Sequence, residues 1–428
     1  MAAFSDKVRS TFVRDELAED PLMAQSGFPL VPEIGILGMP YHQYKTSWMT
    51  PHHVLTRLAH YFNVLWLEPA HHWREMPTLR TRQATIDHLM PHLPSSFQIY
   101  LPEPWLPDFY RLPKLRRLFL RARVRHGWRR LERRGCTTRV LYLWHPQYEA
   151  ALTVERLSVS MYHIEDEYSF APQPPPMDER ELRVIRAVDQ VLVHSPQLRE
   201  RKGWINPNTA YIPNGVDFRL YASPVPEPPD IASIPHPRIG YTGNLKSQLD
   251  WPLLKALAIR HPDWSFVFVG PRDFLTLQDR AIVDEMAAQP NVFLLGRKSV
   301  RELVAYPQHF DVCVMPYVVN DYTQNIYPLK LHEYLASGRP VVGSPIRSLK
   351  EFPALILYAQ TIDEWCAALT NALAPAASAA SAVSARREVA KQHDWSELTY
   401  HIAQIICERS NPRLLDRIVR LTIDTPNI

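Results

Sequence analysis

Short apolar runs that stop at glycine, proline or a polar residue recur along the chain. In the first half they are IGILGMP (34–40), NVLWLEP (63–69), RVLYLWHP (139–146), LSVSMYH (157–163) and QVLVHSP (190–196). Runs this short and this continuously apolar are the pattern of parallel strands buried on both faces, with carboxyl ends that open into loops. HHVLTRLAHYF (52–62) and MDERELRVIRAV (177–188) carry the wider spacing of one-sided helices between them. The alternation restarts at RIGYTGNL (238–245) and continues through WPLLKALAIRHP, WSFVFVGP, NVFLLGR, DVCVMPY, LKLHEYLASG, RPVVGSP and LILYAQ. The pattern predicts an α/β chain with two doubly wound, Rossmann-like domains facing across a cleft, ligands being expected beyond the strand ends.

Proline sets the expected boundaries. YASPVPEPPDIASIPHP (221–237) suits neither a helix nor a central strand, because its prolines remove donors and fix the backbone, so it reads as the linker. A low-complexity patch, NALAPAASAASAVSA, then separates the second domain from WSELTYHIAQIICERS, an amphipathic segment that must dock to bury Leu398, Ile402 and Ile405. The expected organisation is 1–220, 236–392, and a helical segment 393–428 returning to the first domain.

The 428-residue length fits two cores, and 46% hydrophobic with 21% charged residues fits a globular chain. The four scattered cysteines form neither a metal pair nor a dense disulfide pattern. No apolar run reaches spanning length, and the charged first twenty residues do not read as a secretory signal, so a cytoplasmic location is expected.

The net charge of +4 conceals one concentrated segment. Residues 111–134 carry eleven Arg or Lys and one Glu, with Leu115, Leu118, Phe119, Ala122 and Leu131 at roughly helical spacing. Clustered arginines suit nucleic-acid phosphate, but no nucleic-acid module surrounds them. A basic amphipathic helix lying on an anionic membrane, at the cytoplasmic face, is the second reading and a solvated helix the third.

The chemistry concentrates in the second half. In GYTGNLK, Gly240, Gly243 and Asn244 stand between a strand and a helix, where a small-residue turn lets backbone N–H groups approach a phosphate; Lys246 is a candidate contact. The spacing does not match GxGxxG. In YPLKLHEYLASGRPVV, Lys330 and Glu333 lie three apart on one helical face, with Pro328 and Leu331 beside Lys330 at the helix start. Lys330 is placed to meet a phosphate and Glu333, one turn deeper, to accept ribose hydroxyls. A local ion pair is the alternative, although the leucines around it leave little exposed face.

YIPNGVDF (211–218), IGYTGNL (239–245), NVFLLGR (291–297), DVCVMPY (311–317) and KLHEYLASGRPVV (330–342) occur in the order found in retaining family-4 glycosyltransferases of the GT-B fold. The chain resembles that family, and within it the branch that builds bacterial cell-surface polysaccharides. MYHIEDEYSF (161–170) resembles a strand-end loop of the same branch.

The resemblance implies a nucleotide-diphosphate sugar bound mainly by the second domain, and a saccharide or lipid-linked saccharide acceptor bound mainly by the first. Glu333 matches the second of the family's two glutamates, the one that grips ribose. The first stands at Asn325 here, which leaves donor-sugar recognition and stereochemistry open because an amide carries no full charge. Gly296 and Arg297 match a region bordering the base. His163 resembles the family's residue near the reacting sugar, and Asp166, between Glu165 and Glu167, is a candidate base or hydroxyl ligand. No DxD metal motif stands at a strand end, so no metal or other cofactor is expected; lysines and loop N–H groups would stabilise the departing diphosphate, with retention as the implied outcome. A phosphorylase of this architecture is excluded by length and by its missing pyridoxal lysine context. A sugar-nucleotide-binding protein without catalysis remains the alternative.

Overall fold

The computed structural model describes residues 29–44, 48–89, 93–109, 111–165, 178–273 and 275–421. The chain divides into two compact units, 1–213 with 395–428, and 214–394.

The first unit is built on a parallel sheet of seven strands among the described residues: β1 (Ile34–Met39), β2 (Asn63–Leu67), β3 (Phe97–Tyr100), β4 (Thr138–Leu143), β5 (Val159–Ile164), β6 (Gln190–Val193) and β7 (Thr209–Tyr211). Their order is β3-β2-β1-β4-β5-β6-β7. The five apolar runs are the five inner strands, every residue of β1, β2, β5 and β6 being buried. The two strands that the pattern did not reveal, β3 and β7, are the short outer ones. Their partly exposed residues leave no continuous apolar run.

The winding reverses between β1 and β4, so the crevice at their carboxyl ends is a topological switch point. The helix Pro113–Glu132 connects β3 to β4 and packs Val124, Gly127, Trp128 and Leu131 inward. A Cβ at Gly127 would come within 2.8 Å of Leu37, so glycine there lets the helix lie close on β1.

The last helix, Trp395–Ser410, packs on the helix Thr50–Leu58, with the Trp395 ring stacked on His53 at 4.9 Å. It buries Leu398, Ile402, Ile406 and Cys407, while Ile405, expected in that stripe, is only half-buried. The 3.6-residue repeat carries the stripe from 402 to 406, and Ile405 falls on its edge.

The second unit carries six parallel strands among the described residues: β8 (Arg238–Thr242), β9 (Ser265–Val269), β10 (Val292–Gly296), β11 (Val312–Met315), β12 (Val341–Gly343) and β13 (Ile356–Tyr358), ordered β10-β9-β8-β11-β12-β13. All six coincide with apolar runs in the sequence. Its switch point lies between β8 and β11.

The proline-rich 221–237 segment is packed onto this unit. Ile231 and Ile234 are buried, the Gln308 side-chain amide donates to the carbonyls of Tyr221 and Ser223, and Asp230 pairs with Lys298 at 2.6 Å. The alanine-rich patch also has a structural task. Alanine is the strongest helix former, and Ala380–Gln392 is a helix packed against Lys330–Ser337. From it Arg386 Nε donates to the Gly338 carbonyl at 3.0 Å and Arg387 Nε to the Ala336 carbonyl at 3.2 Å, satisfying the end of the helix that carries Lys330 and Glu333.

Candidate functional site

The second unit's switch point collects the candidate phosphate ligands. Gly243 follows β8 with φ +115°, and its N–H is donated to the Val269 carbonyl at 2.8 Å. Gly270, after β9, has φ +154°; a Cβ there would stand 2.0 Å from the Gly243 carbonyl oxygen, so the loop after β9 can approach the Gly243 turn only with glycine at 270. A Cβ at Gly243 would lie 3.3 Å from Lys330 Cε, which shows how closely that side chain passes over the turn.

Lys330 opens the helix Lys330–Ser337. Its ammonium lies 5.0 Å from the centre of the Tyr241 ring and donates to the Tyr317 hydroxyl at 3.4 Å. Tyr241 is in β8 and Tyr317 follows β11, so Lys330 spans the switch point. Tyr334, one turn on, accepts from the Thr242 N–H at 2.8 Å and ties the helix to the end of β8. Burial opposes the charged lysine, but the phenol oxygens of Tyr241, Tyr317 and Tyr334 and the Glu333 carboxylate outweigh it and hold its pKa well above the ordinary value. Lys246 also acts on the Tyr317 hydroxyl, lowering its pKa against the rise caused by burial. Lys330 by contact and Lys246 by its field therefore both act on one phenol, and positive potential of this kind favours an anion.

Glu333 is half-buried on the same helix. Burial pushes its carboxyl above the usual range, Lys330 and a hydrogen bond with Tyr221 draw it back, and Asp217 adds to the rise. Leu331, between them, is fully buried, and its N–H is donated to the Pro328 carbonyl at 3.2 Å.

Of the remaining sequence candidates of this unit, Asn244 adjoins the Lys330 cluster, and Gly296, Arg297 and Asn325 make their contacts elsewhere. Asn244 is exposed, and its carbonyl accepts from the Tyr241 hydroxyl at 3.3 Å. Gly296 is open to solvent with φ +72°, and Arg297 pairs with Asp273 at 2.6 Å. Asn325 is buried, and its amide donates to the Asp321 carbonyl at 2.6 Å, so this side chain helps to shape its own loop.

In the first unit His163 is the penultimate residue of β5, 1% exposed and stacked among Tyr142 and Trp144. Nδ1 lies 3.0 Å from the Tyr142 hydroxyl, whereas Nε2 has no partner among the described residues. Burial, with the nearby His194, pushes its pKa down to about 3, so the imidazole is neutral at physiological pH. Asp166 and Glu167 lie outside the described residues; Glu165 is half-buried. Among the described residues no group of three or more His, Cys, Asp and Glu is placed to hold a metal ion.

The arginine-rich helix divides its charge. Arg123 is buried, Arg116 pairs with Asp108 at 3.0 Å, Arg121 donates to Thr153 at 3.1 Å, and Arg125 pairs with Glu155 at 3.3 Å. Around its amino-terminal end, Trp105, Leu112, Leu115 and Leu118 are exposed together with Lys114 and Arg117. No helix among the described residues is long and apolar enough to cross a membrane.

Sequence reasoning missed the three tyrosines around Lys330. Each stands in a quoted motif, GYTG, MPY or HEYL, but only the sheet order brings them together. It also missed a polar pocket of about 490 Å³ in the first unit, which is assembled from residues distant in sequence.

Residues 236–375 match the family model for glycosyl transferases group 1. The chain is 31% identical over 186 residues to Bacillus subtilis (strain 168) TuaH, whose name assigns it to teichuronic acid biosynthesis as a glycosyltransferase. That match covers 42% of this chain and 46% of the relative's length. The fold is similar to that of Anabaena HepE, solved with UDP and glucose (TM-score 0.62, 14% identity, 87% of this chain and 99% of that one). It is also similar to a Rickettsia africae glycosyltransferase (TM-score 0.64, 10% identity, 89% and 99%). The architecture is therefore the GT-B type, two Rossmann-like domains, and the second domain carries the group 1 sequence pattern.

Proposed function

We propose that this chain is a glycosyltransferase that moves a sugar from a nucleotide-diphosphate donor to a saccharide acceptor in bacterial surface-glycan synthesis. The observation that carries the reading is Lys330: a cation held at the β8/β11 switch point, over a glycine turn, one helical turn before Glu333. In this reading Lys330 and Lys246 meet the donor's diphosphate with the Gly243–Asn244 turn, Leu331 packs the helix start beneath it, Glu333 accepts ribose hydroxyls and exchanges Tyr221 for them, and Gly296 and Arg297 border the base. As the glycosidic bond to phosphate breaks, negative charge grows on the departing oxygen, and a fixed ammonium stabilises it most at that moment. Neutral His163 orients a hydroxyl through Nε2, Asp166 is the candidate base or hydroxyl ligand, and Asn325 contributes to the donor-sugar side through its loop. Retention follows the family's same-face substitution, in which the departing phosphate takes the acceptor's proton. No metal is needed in this scheme.

The acceptor's carrier is a lipid in this reading. Trp105, Leu112, Leu115 and Leu118, with Lys114 and Arg117, form the apolar and cationic mixture that settles at an anionic leaflet, peripheral on the cytoplasmic face.

Purified protein should be mixed with a panel of nucleotide sugars, uridine diphosphates first because the similar HepE structure holds UDP. Heat stabilisation by one donor with release of its diphosphate, accelerated by a saccharide, is the expected result. Stabilisation without release under any acceptor would move the reading to a sugar-nucleotide-binding protein.

A further inference from the structure

The pocket in the first unit lies where β1, β2 and β4 end: Met39 and Leu67 are the last residues of β1 and β2, and Gln147 and Tyr148 follow β4. It therefore opens at this sheet's own switch point. One wall is the Pro113–Glu132 helix, which contributes Arg116, Leu120 and Arg123.

The charges of the lining can be paired off. Glu68 accepts from the Tyr44 N–H at 2.6 Å and the Trp66 indole at 2.9 Å, and its second oxygen pairs with Arg82 at 2.9 Å. Asp108 pairs with Arg116, whose guanidinium also donates to Gln147 at 2.8 Å. Glu75 is exposed at the rim and accepts the His72 N–H. Arg123 is left. It is 5% exposed, and its hydrogen bond among the described residues is a 3.5 Å contact with the Leu106 carbonyl. The carboxylate acting on it most is Asp108, which is already engaged with Arg116.

A guanidinium offers five donors and is costly to bury without acceptors. Leucine or methionine at 123 would complete the packing that Leu120, Val124 and Gly127 begin, so packing alone does not call for arginine. A planar fork facing a polar cavity matches carboxylate or phosphate oxygens.

We propose that Arg123 is the anchor of an anion-binding subsite, and that the acceptor saccharide carries a negative group, a carboxylate or a phosphate, close to the hydroxyl that is glycosylated. This rests on the glycosyltransferase reading for the word acceptor; the subsite itself does not depend on it. Arg116, held by Asp108 and Gln147, keeps the wall in place, and Gln147 presents a neutral amide beside the anion.

The test measures binding without any donor. Wild type, Arg123→Gln and Arg123→Lys are titrated with glucuronate, glucose 1-phosphate and glucose by ligand-observed NMR, with inorganic phosphate as competitor and UDP binding as a check on the second unit. Wild type should bind one or both anionic sugars at least about tenfold more tightly than glucose, the size expected for a charge-assisted pair. Arg123→Gln should reduce that preference to near unity with UDP binding unchanged, and Arg123→Lys should retain part of it. Preference for glucuronate identifies a sugar carboxylate, and preference for glucose 1-phosphate identifies a phosphate beside the sugar. Equal binding of all three by wild type, or an undiminished preference in Arg123→Gln, overturns the subsite. Should Arg123→Gln not fold, Gln147→Trp, which fills the pocket from the loop after β4, must abolish anion binding; retention there overturns it too. Anion binding with no sugar transfer from any donor would count against the transferase reading alone.

Discussion

Lys330 Nζ donates to the Tyr317 hydroxyl at 3.4 Å, and this contact joins the first residue of a helix to the loop that leaves β11. Tyr317 is itself buried, and its N–H is donated to the Met315 carbonyl, so the phenol is a fixed seat for the ammonium. A cation held in this way loses little freedom when an anion arrives, which favours binding in the transition state as well as the ground state.

Lys330→Met removes the charge and preserves most of the stem. Loss of a charge-assisted contact of ~1.5–3 kcal/mol predicts a weakening of UDP binding by about 10- to 100-fold. Release of diphosphate from a nucleotide sugar should fall further than ground-state binding does, because the charge on the departing oxygen is larger in the transition state. Calorimetric titration beside single-turnover rates separates the two. Unaltered UDP affinity in the folded variant removes Lys330 from the site.

Glu333→Gln tests the hydroxyl clamp. The amide keeps the volume and the contact with Tyr221 but loses the negative charge that ribose hydroxyls would be offered. Affinity for UDP should fall by about tenfold, and affinity for inorganic diphosphate should rise or hold, since a negative neighbour of the lysine has gone. A fall of equal size for both ligands would instead identify Glu333 as support for Lys330.

The shared helical face of Lys330 and Glu333 was legible because helix periodicity places residues three apart together, and the β-strands of the second unit were legible because each lies in a short, largely apolar run. The tyrosine seat was not, since Tyr241 and Tyr317 are 76 positions apart and meet only through the β8/β11 pairing. Arg123 was hidden for a different reason. Within eleven basic residues nothing in the sequence separates it from its neighbours, and its burial follows from its place in the pocket wall beside the Leu106 carbonyl, one turn before Gly127. The alanine-rich patch was legible as composition but not as a task, because what it supplies is Arg386 and Arg387 to another helix's carbonyls.

His163 makes the first unit sensitive to acid. Its folded pKa of about 3 lies below the ordinary 6.5, so between these values the unfolded chain binds more protons than the folded one. The stabilising effect is complete above pH 6.5 and is lost as pH falls toward 3. His194, pushed down to about 4 mainly by burial, acts in the same direction. Below pH 6 each such group should lower stability by up to about 1.4 kcal/mol per pH unit. Urea unfolding of His163→Gln between pH 7 and 5 should show a shallower loss than wild type, whatever its stability at pH 7. Parallel curves would mean that His163 titrates alike in the folded and the unfolded chain.

The membrane reading now has a defined address, and it is smaller than the whole basic helix. Arg116, Arg121 and Arg125 have partners within the fold, so replacing them would disturb Asp108, Thr153 and Glu155 before it disturbed a lipid. Lys114 and Arg117 stand beside exposed Leu112, Leu115 and Leu118, and Trp105 is 68% exposed. Exposed leucines on a basic helix cost solubility unless something covers them, and an anionic leaflet accepts both parts, the apolar chains by burial and the cations by surface attraction of about 1 kcal/mol each. Replacing Leu115 and Leu118 with Ser should reduce binding to phosphatidylglycerol vesicles and be little altered by salt. Replacing Lys114 and Arg117 with Gln should reduce it by roughly 10- to 30-fold at low salt, with the difference shrinking as salt screens the surface. Both variants should bind UDP as wild type does, since none of these residues belongs to the second unit. Vesicle sedimentation that is equal for wild type and both folded variants would leave this end of the helix as a solvated face, and the acceptor would then have to reach the protein without a lipid surface.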